Sequence, residues 1–325
     1  MIYYDVLELI GSTPIVKLKN ITGLDSAQIF LKLEGYNPGG SMKDRVAKAI
    51  IENAEVEGKL EKGGTIIESS SGNLAIGLAI MSKQKGYRMI AVVDPKISHV
   101  NLSLIKAYGG EVYMVNEPDS EGNYLKKRIE TAKRLSEEIN NCFWPNQYNN
   151  YNNPKAHEEN TALEIFNDFQ GDLNWLVAPV GTAGLATGCA LGLKKLIKDL
   201  KVLAVDAVGS VTFGTQPGKR LQTGIGAAIV PQNVRPELYD QVEHVDDENA
   251  FYMTRRLAME EGLLVGGSTG SAVHAALELS RRLNKSEKIL VISPDRGDRY
   301  FNTIFSNEWL ERNGIFLKGK GLTVV

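Results

Sequence analysis

Thr65-Ile66-Ile67-Glu68-Ser69-Ser70-Ser71-Gly72-Asn73-Leu74-Ala75-Ile76-Gly77-Leu78-Ala79-Ile80-Met81 is the stretch that decides the fold. A short β-branched run stops at a turn of small hydroxyl residues, and an apolar run of helical length begins at once. Strand, tight turn and buried helix are therefore predicted in succession. The same alternation returns along the chain. Met89 to Asp94, Glu111 to Asn116, Trp175 to Val180, Lys201 to Val208 and Lys288 to Ser293 read as buried strands with amphipathic stretches between them. Such alternation predicts parallel sheets covered by helices, an α/β protein.

The chain has 325 residues, 43% hydrophobic and 23% charged, with a formal net charge of −2. That length suits two lobes, and that composition a globular protein. A near-neutral charge supplies no global field to recruit nucleic acid or an anionic membrane, so an anionic substrate has to be held locally. Only Cys142 and Cys189 occur, without Cys-x-x-Cys spacing, and His99, His157, His244 and His274 are scattered. Neither a disulfide framework nor a metal site is expected. The opening Met1-Ile2-Tyr3-Tyr4-Asp5 lacks a basic leader pattern, and no run of about 18 apolar residues occurs, so the expected location is cytoplasmic. The polar segment from Asn146 to Pro154 separates the first three strand signals from the last three and is the expected lobe boundary.

Four constellations carry chemistry. In Asn37-Pro38-Gly39-Gly40-Ser41-Met42-Lys43-Asp44-Arg45 a glycine turn feeds a helix start, with Ser41 as N-cap and Lys43 in the first turn. The positive end of the helix dipole favours the neutral, nucleophilic form of such a lysine, although a first-turn lysine is also an ordinary surface charge. Ser69-Ser70-Ser71-Gly72-Asn73 makes either an anion-binding turn suited to a carboxylate or a simple Ser-rich cap. Gly181-Thr182-Ala183-Gly184-Leu185 lies between a strand and a helix. Its small residues let the backbone approach a phosphate, while no P-loop or dinucleotide fingerprint is present. Gly266-Gly267-Ser268-Thr269-Gly270-Ser271 precedes another helix and offers a hydroxyl to a heterocyclic nitrogen.

These four motifs, in this order, resemble the fold type II pyridoxal 5'-phosphate (PLP) enzymes, the tryptophan synthase β-like family that includes cysteine synthases and cystathionine β-synthases. The resemblance runs from Ile10-Gly11-Ser12-Thr13-Pro14 through Gly224-Ile225-Gly226-Ala227 and covers nearly the whole chain. It implies two open twisted, mainly parallel sheets flanked by helices, with the cofactor in the cleft between domains. Residues 36–151 would form a smaller, mobile domain, and 1–35 with 152–325 a larger one that binds the PLP phosphate. A homodimer is implied as well.

The resemblance makes Lys43 the Schiff-base lysine and general base. It carries Asn73 to the ring hydroxyl, Gly181, Thr182, Ala183, Gly184 and Leu185 to the phosphate, and Ser268 to the pyridine nitrogen. A neutral serine there cannot hold a pyridinium proton, which weakens the electron sink and favours β-elimination over transamination. Ser70, Ser71, Gly72, Asn73 and Gln147 match positions that hold the substrate carboxylate, with Gly224 and Arg220 as further substrate contacts. Ala183 and Leu185 replace a glycine and a threonine common in the family's phosphate loop, and Leu74 replaces a threonine, changing the wall beside the substrate.

A narrower resemblance is to the N-(2-amino-2-carboxyethyl)-L-glutamate synthases of staphyloferrin B assembly. It rests on Val92 to Ser98, Val205-Asp206-Ala207 and Pro294-Asp295-Arg296-Gly297-Asp298-Arg299-Tyr300, besides the motifs around Lys43 and Ser268. It implies β-replacement joining L-glutamate to the alanyl unit of O-phospho-L-serine, through an α-aminoacrylate. A cysteine synthase using sulfide with O-acetylserine or O-phosphoserine shares every earlier step, and a non-catalytic PLP-binding scaffold is a third reading. Lys219, Arg220, Arg296 and Arg299 are the cations expected to meet anionic substrates, although each is equally a surface charge.

Overall fold

The computed structural model describes residues 2–120 and 122–317. The chain divides into two compact units, Met1–Gly11 with Asn37–Ala156, and Ser12–Tyr36 with His157–Val325. Its strands are β1 (Ile15–Lys17), β2 (Gln28–Leu33), β3 (Thr65–Glu68), β4 (Arg88–Val93), β5 (Glu111–Met114), β6 (Cys142–Phe143), β7 (Trp175–Pro179), β8 (Lys201–Ala207), β9 (Gln241–Val245) and β10 (Lys288–Ser293). The helices are α1 (Lys43–Val56), α2 (Asn73–Lys85), α3 (His99–Ala107), α4 (Tyr124–Glu138), α5 (Asn152–Ala156), α6 (Ala162–Phe169), α7 (Gly184–Leu196), α8 (Asp247–Glu261), α9 (Gly267–Ser280) and α10 (Asn307–Arg312).

In the first unit the sheet runs β5-β4-β3-β6 and every pairing is parallel. All four residues of β3 are buried, as a strand covered on both faces requires. Helix α2 is buried from Leu74 to Ser82, so it has no solvent stripe and reads as uniformly apolar. It lies close against α1 because Gly77 has no side chain: a Cβ there would sit 3.1 Å from the Lys43 carbonyl oxygen and 3.2 Å from the Ala47 Cβ. Leu7 shares this core with Val46, Ile50 and Leu74. The opening residues thus pack with this unit, whereas the family pattern assigned them to the larger one.

The second unit holds a six-stranded sheet in the order β1-β2-β10-β7-β8-β9. All pairings are parallel except β1 with β2. Its core gathers Ile29, Leu31, Val177, Val205 and Val291 from the strands with Phe251, Leu257, Val273 and Ala276 from α8 and α9. The mainly parallel α/β architecture expected from the strand and helix alternation is present, and all six strands read from apolar runs form. The alternation left β1, β2, β6 and β9 unread. β6 has two residues, and β9 is a polar edge strand whose first four residues are exposed or half-buried.

Candidate active site

Lys43 is the first residue of α1. The helix opens without a side-chain cap on Met42, and Ser41, the expected cap, sits one residue earlier with its Oγ accepting the Lys43 N–H at 3.2 Å. Asp44 ties the glycine turn back onto the helix by accepting the Gly39 N–H at 2.5 Å. Lys43 is buried, and desolvation lowers its ammonium from 10.5 to about 8, with the Glu68 charge opposing the shift.

Glu68 ends β3 at 1% exposure. Burial raises its carboxyl from 4.5 to about 7, opposed by the backbone N–H groups of Gln147, Ser69 and Asn146 and then by Lys43. Both shifts run toward neutrality, the direction in which burial drives an amine and a carboxyl alike.

The turn after Glu68 is held from behind. Ser69 and Ser70 are buried, while Ser71, Gly72 and Asn73 are half-buried at the start of α2, which has no side-chain cap. Asn101 of α3 donates to the Ser71 carbonyl at 3.0 Å, and Arg128 of α4 donates from Nη1 to the Ser71 Oγ at 3.1 Å. Arg128 also pairs through Nε with Asp94 at 3.2 Å, and the two side chains are 11% and 9% exposed. Burial raises the Tyr148 hydroxyl, the Arg128 charge opposes that shift, and Glu68 adds to it. Gln147 is buried on the same segment. The expected carboxylate-holding residues therefore fall in one unit with Lys43. Leu74 is buried in the hydrophobic core of this unit.

In the second unit, β7 leads into the 181–185 turn. Ala183 sits at φ 63°, a left-handed conformation that favours glycine, and it caps α7 without a side-chain hydrogen bond. A Cβ on Gly181 would come within 2.6 Å of the Gly224 carbonyl oxygen, so the two glycines permit a close backbone approach. The Gly226 N–H donates to the Val180 carbonyl at 2.8 Å and fixes the 224–227 turn beside this loop. Arg220 donates to the Gly209 carbonyl at 3.1 Å. Leu185 is buried, and Ser268 is buried in the first turn of α9. Of the expected cations, Lys219 and Arg296 are exposed, Arg296 beside Asp298 at 3.5 Å, whereas Arg299 is buried.

Glu68 and Arg128 received no role from the motifs, yet both left a signal. Glu68 closes an otherwise apolar strand. Arg128 shares a helix face with Thr131, Ala132 and Leu135, which are buried.

A buried lysine of lowered proton affinity and uncapped helix starts fed by small-residue turns define an α/β enzyme for an anionic, amine-reactive ligand. Residues 6–295 match the pyridoxal-phosphate dependent enzyme family, and the chain belongs to it. A hydrogen sulfide-producing enzyme from Fusobacterium nucleatum is 37% identical over 92% of this chain and 100% of its own, with a TM-score of 0.86. O-ureido-L-serine synthase is 32% identical over 96% of this chain and 100% of its own, at 0.88. An O-acetylserine dependent cystathionine β-synthase from Helicobacter pylori is 35% identical over 93% and 98%, at 0.85. The protein is thus a PLP-dependent enzyme of the β-replacement type, related to cysteine synthases. One observation leaves room for a polar ligand such as the cofactor: Glu68 Oε2 and Ser69 Oγ are buried without a hydrogen-bond partner among the described residues.

Among the described residues no group of three or more His, Cys, Asp or Glu could hold a metal ion, and no helix is long and apolar enough to cross a membrane.

Proposed function

We propose that this enzyme joins the amino group of L-glutamate to the alanyl unit of O-phospho-L-serine, giving N-(2-amino-2-carboxyethyl)-L-glutamate and phosphate, a step toward L-2,3-diaminopropionate for siderophore or related products. PLP supplies the aldehyde that takes the substrate amine and the conjugated ring that acidifies the α-hydrogen. Lys43 holds the cofactor and then takes the α-proton on Nζ. Gly181 to Leu185 offer backbone N–H groups to the phosphate, Asn73 donates to the ring oxygen, and Ser268 meets the ring nitrogen without a charge. Ser70, Ser71, Gly72, Asn73 and Gln147 orient the carboxylate, with Gly224 and Arg220 as outer contacts.

The observation that carries the anionic-substrate reading is Arg128, a guanidinium 11% exposed and hydrogen-bonded to the Ser71 hydroxyl. A charged donor held against the turn strengthens that turn's pull on a carboxylate or phosphate. A second reading, sulfide as the nucleophile, is favoured by the hydrogen sulfide-producing and O-acetylserine dependent relatives. A nucleophile screen separates the two: with O-phospho-L-serine as donor, L-glutamate should drive phosphate release. Release driven by sulfide and not by L-glutamate would replace the first reading with the second.

A further inference from the structure

We propose that the Asp295–Tyr300 pair is a positioning device for Ser268: it holds the glycine start of α9 so that the Ser268 hydroxyl stands where the ring nitrogen of the cofactor is met. The inference rests on the role proposed above for Ser268 and goes beyond it by giving a function to the stretch from Pro294 to Tyr300, which the proposed reaction leaves unused. Tyr300 Oη donates to Asp295 Oδ2 at 2.6 Å, and Asp295 is 3% exposed. Burial, and then the Asp295 charge, push the Tyr300 hydroxyl well above its ordinary value of 10, so it keeps its proton and remains the donor. A hydrogen bond to a charged acceptor is among the stronger ones.

The pair sits on the helix start itself. Gly266 is the N-cap of α9 and has no side chain to cap it, and Ser268, 3% exposed, follows two residues later. A Cβ on Gly266 would collide with Asp295 Oδ1 and come within 2.8 Å of Tyr300 Cε2, so the carboxylate occupies the space in which an ordinary cap side chain would stand. A negative charge there also complements the positive end of the dipole of a 14-residue helix. The fit is reciprocal: a Cβ on Gly297 would lie 2.7 Å from the Val265 carbonyl oxygen, and one on Gly267 2.9 Å from Ile304 Cδ1. The Gly297 N–H donates to the Leu264 carbonyl at 3.0 Å, the Gly266 N–H to the Asp295 carbonyl at 3.4 Å, and the Thr269 and Ser293 hydroxyls bond at 2.9 Å. These ties hold the two stretches together, and the side-chain pair fixes where the first turn of α9 begins and with it the place of Ser268.

The test is a double-mutant cycle read by absorbance, with PLP titrated into the full chain freed of cofactor. Tyr300→Phe deletes only the hydroxyl, and Asp295→Asn removes the charge with little change of shape. Ser268→Ala and Tyr300→Phe should each weaken PLP binding by about 3–10-fold, the loss of one hydrogen bond. Combined, they should bind PLP as Ser268→Ala does alone, to within about two-fold, because the pair acts through the hydroxyl already removed. Tyr300→Phe should also move the absorbance maximum of the bound cofactor in the direction in which Ser268→Ala moves it, and Asp295→Asn should reproduce both effects. A merely structural role predicts effects that multiply and a maximum that stays in place. Either result overturns the proposal, as does unchanged PLP affinity in Tyr300→Phe. Should Asp295→Asn fail to fold, the Tyr300→Phe cycle decides alone. Unchanged affinity and colour in Ser268→Ala would remove Ser268 from the functional reading and this proposal with it, whereas full cofactor colour in Lys43→Ala would sink that reading as a whole.

Discussion

Lys32 is a lysine with no exposed surface, and replacing it by methionine tests how the second unit tolerates a buried charge. Its Nζ donates to the Thr13 carbonyl at 3.0 Å and pairs with Glu164 Oε2 at 3.0 Å, while the other carboxylate oxygen of Glu164 accepts the Ser12 N–H at 2.9 Å. Ser12 has φ 47°, so this contact also holds a residue in a conformation it disfavours. Removing one member of a fully buried pair costs about 3–5 kcal/mol. Glu164 is 21% exposed, and water can take over part of its solvation, which reduces the expected cost to about 2–3 kcal/mol. For a chain of this size that is a fall of roughly 3–4 °C in the unfolding midpoint. Hydrogen exchange should show the loss first at residues 28–33, the strand that carries Lys32, and at 12–13, whose backbone the pair binds. Adding Glu164→Gln to Lys32→Met should cost less than the sum of the two changes, with a coupling of about 1–2 kcal/mol, because the second change removes the stranded charge. A single-variant cost below about 0.5 kcal/mol, or strictly additive costs, would refute the reasoning.

Gly181→Ala should weaken PLP binding by about ten-fold or more in an absorbance titration, since the new Cβ meets the Gly224 backbone. Ala183→Gly should raise stability by about 0.5 kcal/mol in chemical denaturation, the relief of left-handed strain exceeding the added freedom of the unfolded chain. Arg128→Gln should lower kcat/KM for the amino-acid donor by roughly 10–100-fold while PLP affinity stays unchanged, as steady-state kinetics and titration would show. For Lys43 the folded value lies below the unfolded one, so its favourable contribution is present above 10.5 and is lost as pH falls through about 8. Cofactor-free Lys43→Met should therefore be more stable than the parent chain below pH 8 by about 2–3 kcal/mol, a gap that closes toward pH 10.5 in pH-dependent unfolding.

What could be read from the residues, and what could not, divides along one physical line. Strands such as β3, β7 and β10 are covered on both faces, so their composition is uniformly apolar and the signal is local. The glycine and serine turns were legible for the same reason: a close backbone approach or a helix start imposes its residue type on the spot. Strand β2 escaped because Lys32 interrupts it, and nothing within the strand says that Glu164, distant in sequence, will neutralise that charge. Arg128 escaped because α4 is full of charges, and only its position on the Thr131, Ala132 and Leu135 face sets it apart. Glu68 gives no local signal of its raised proton affinity, because that shift comes from burial, which is not a property of its neighbours in the chain. Ala183 shows the converse, a residue whose type argues against the left-handed conformation it adopts, so that the strain is visible only in its φ. Charges silenced by partners far along the chain are invisible to periodicity, and in the first unit they include Arg128, paired with Asp94. A pattern that finds the scaffold therefore misses such buried charges, and these emerge once burial and pairing are known.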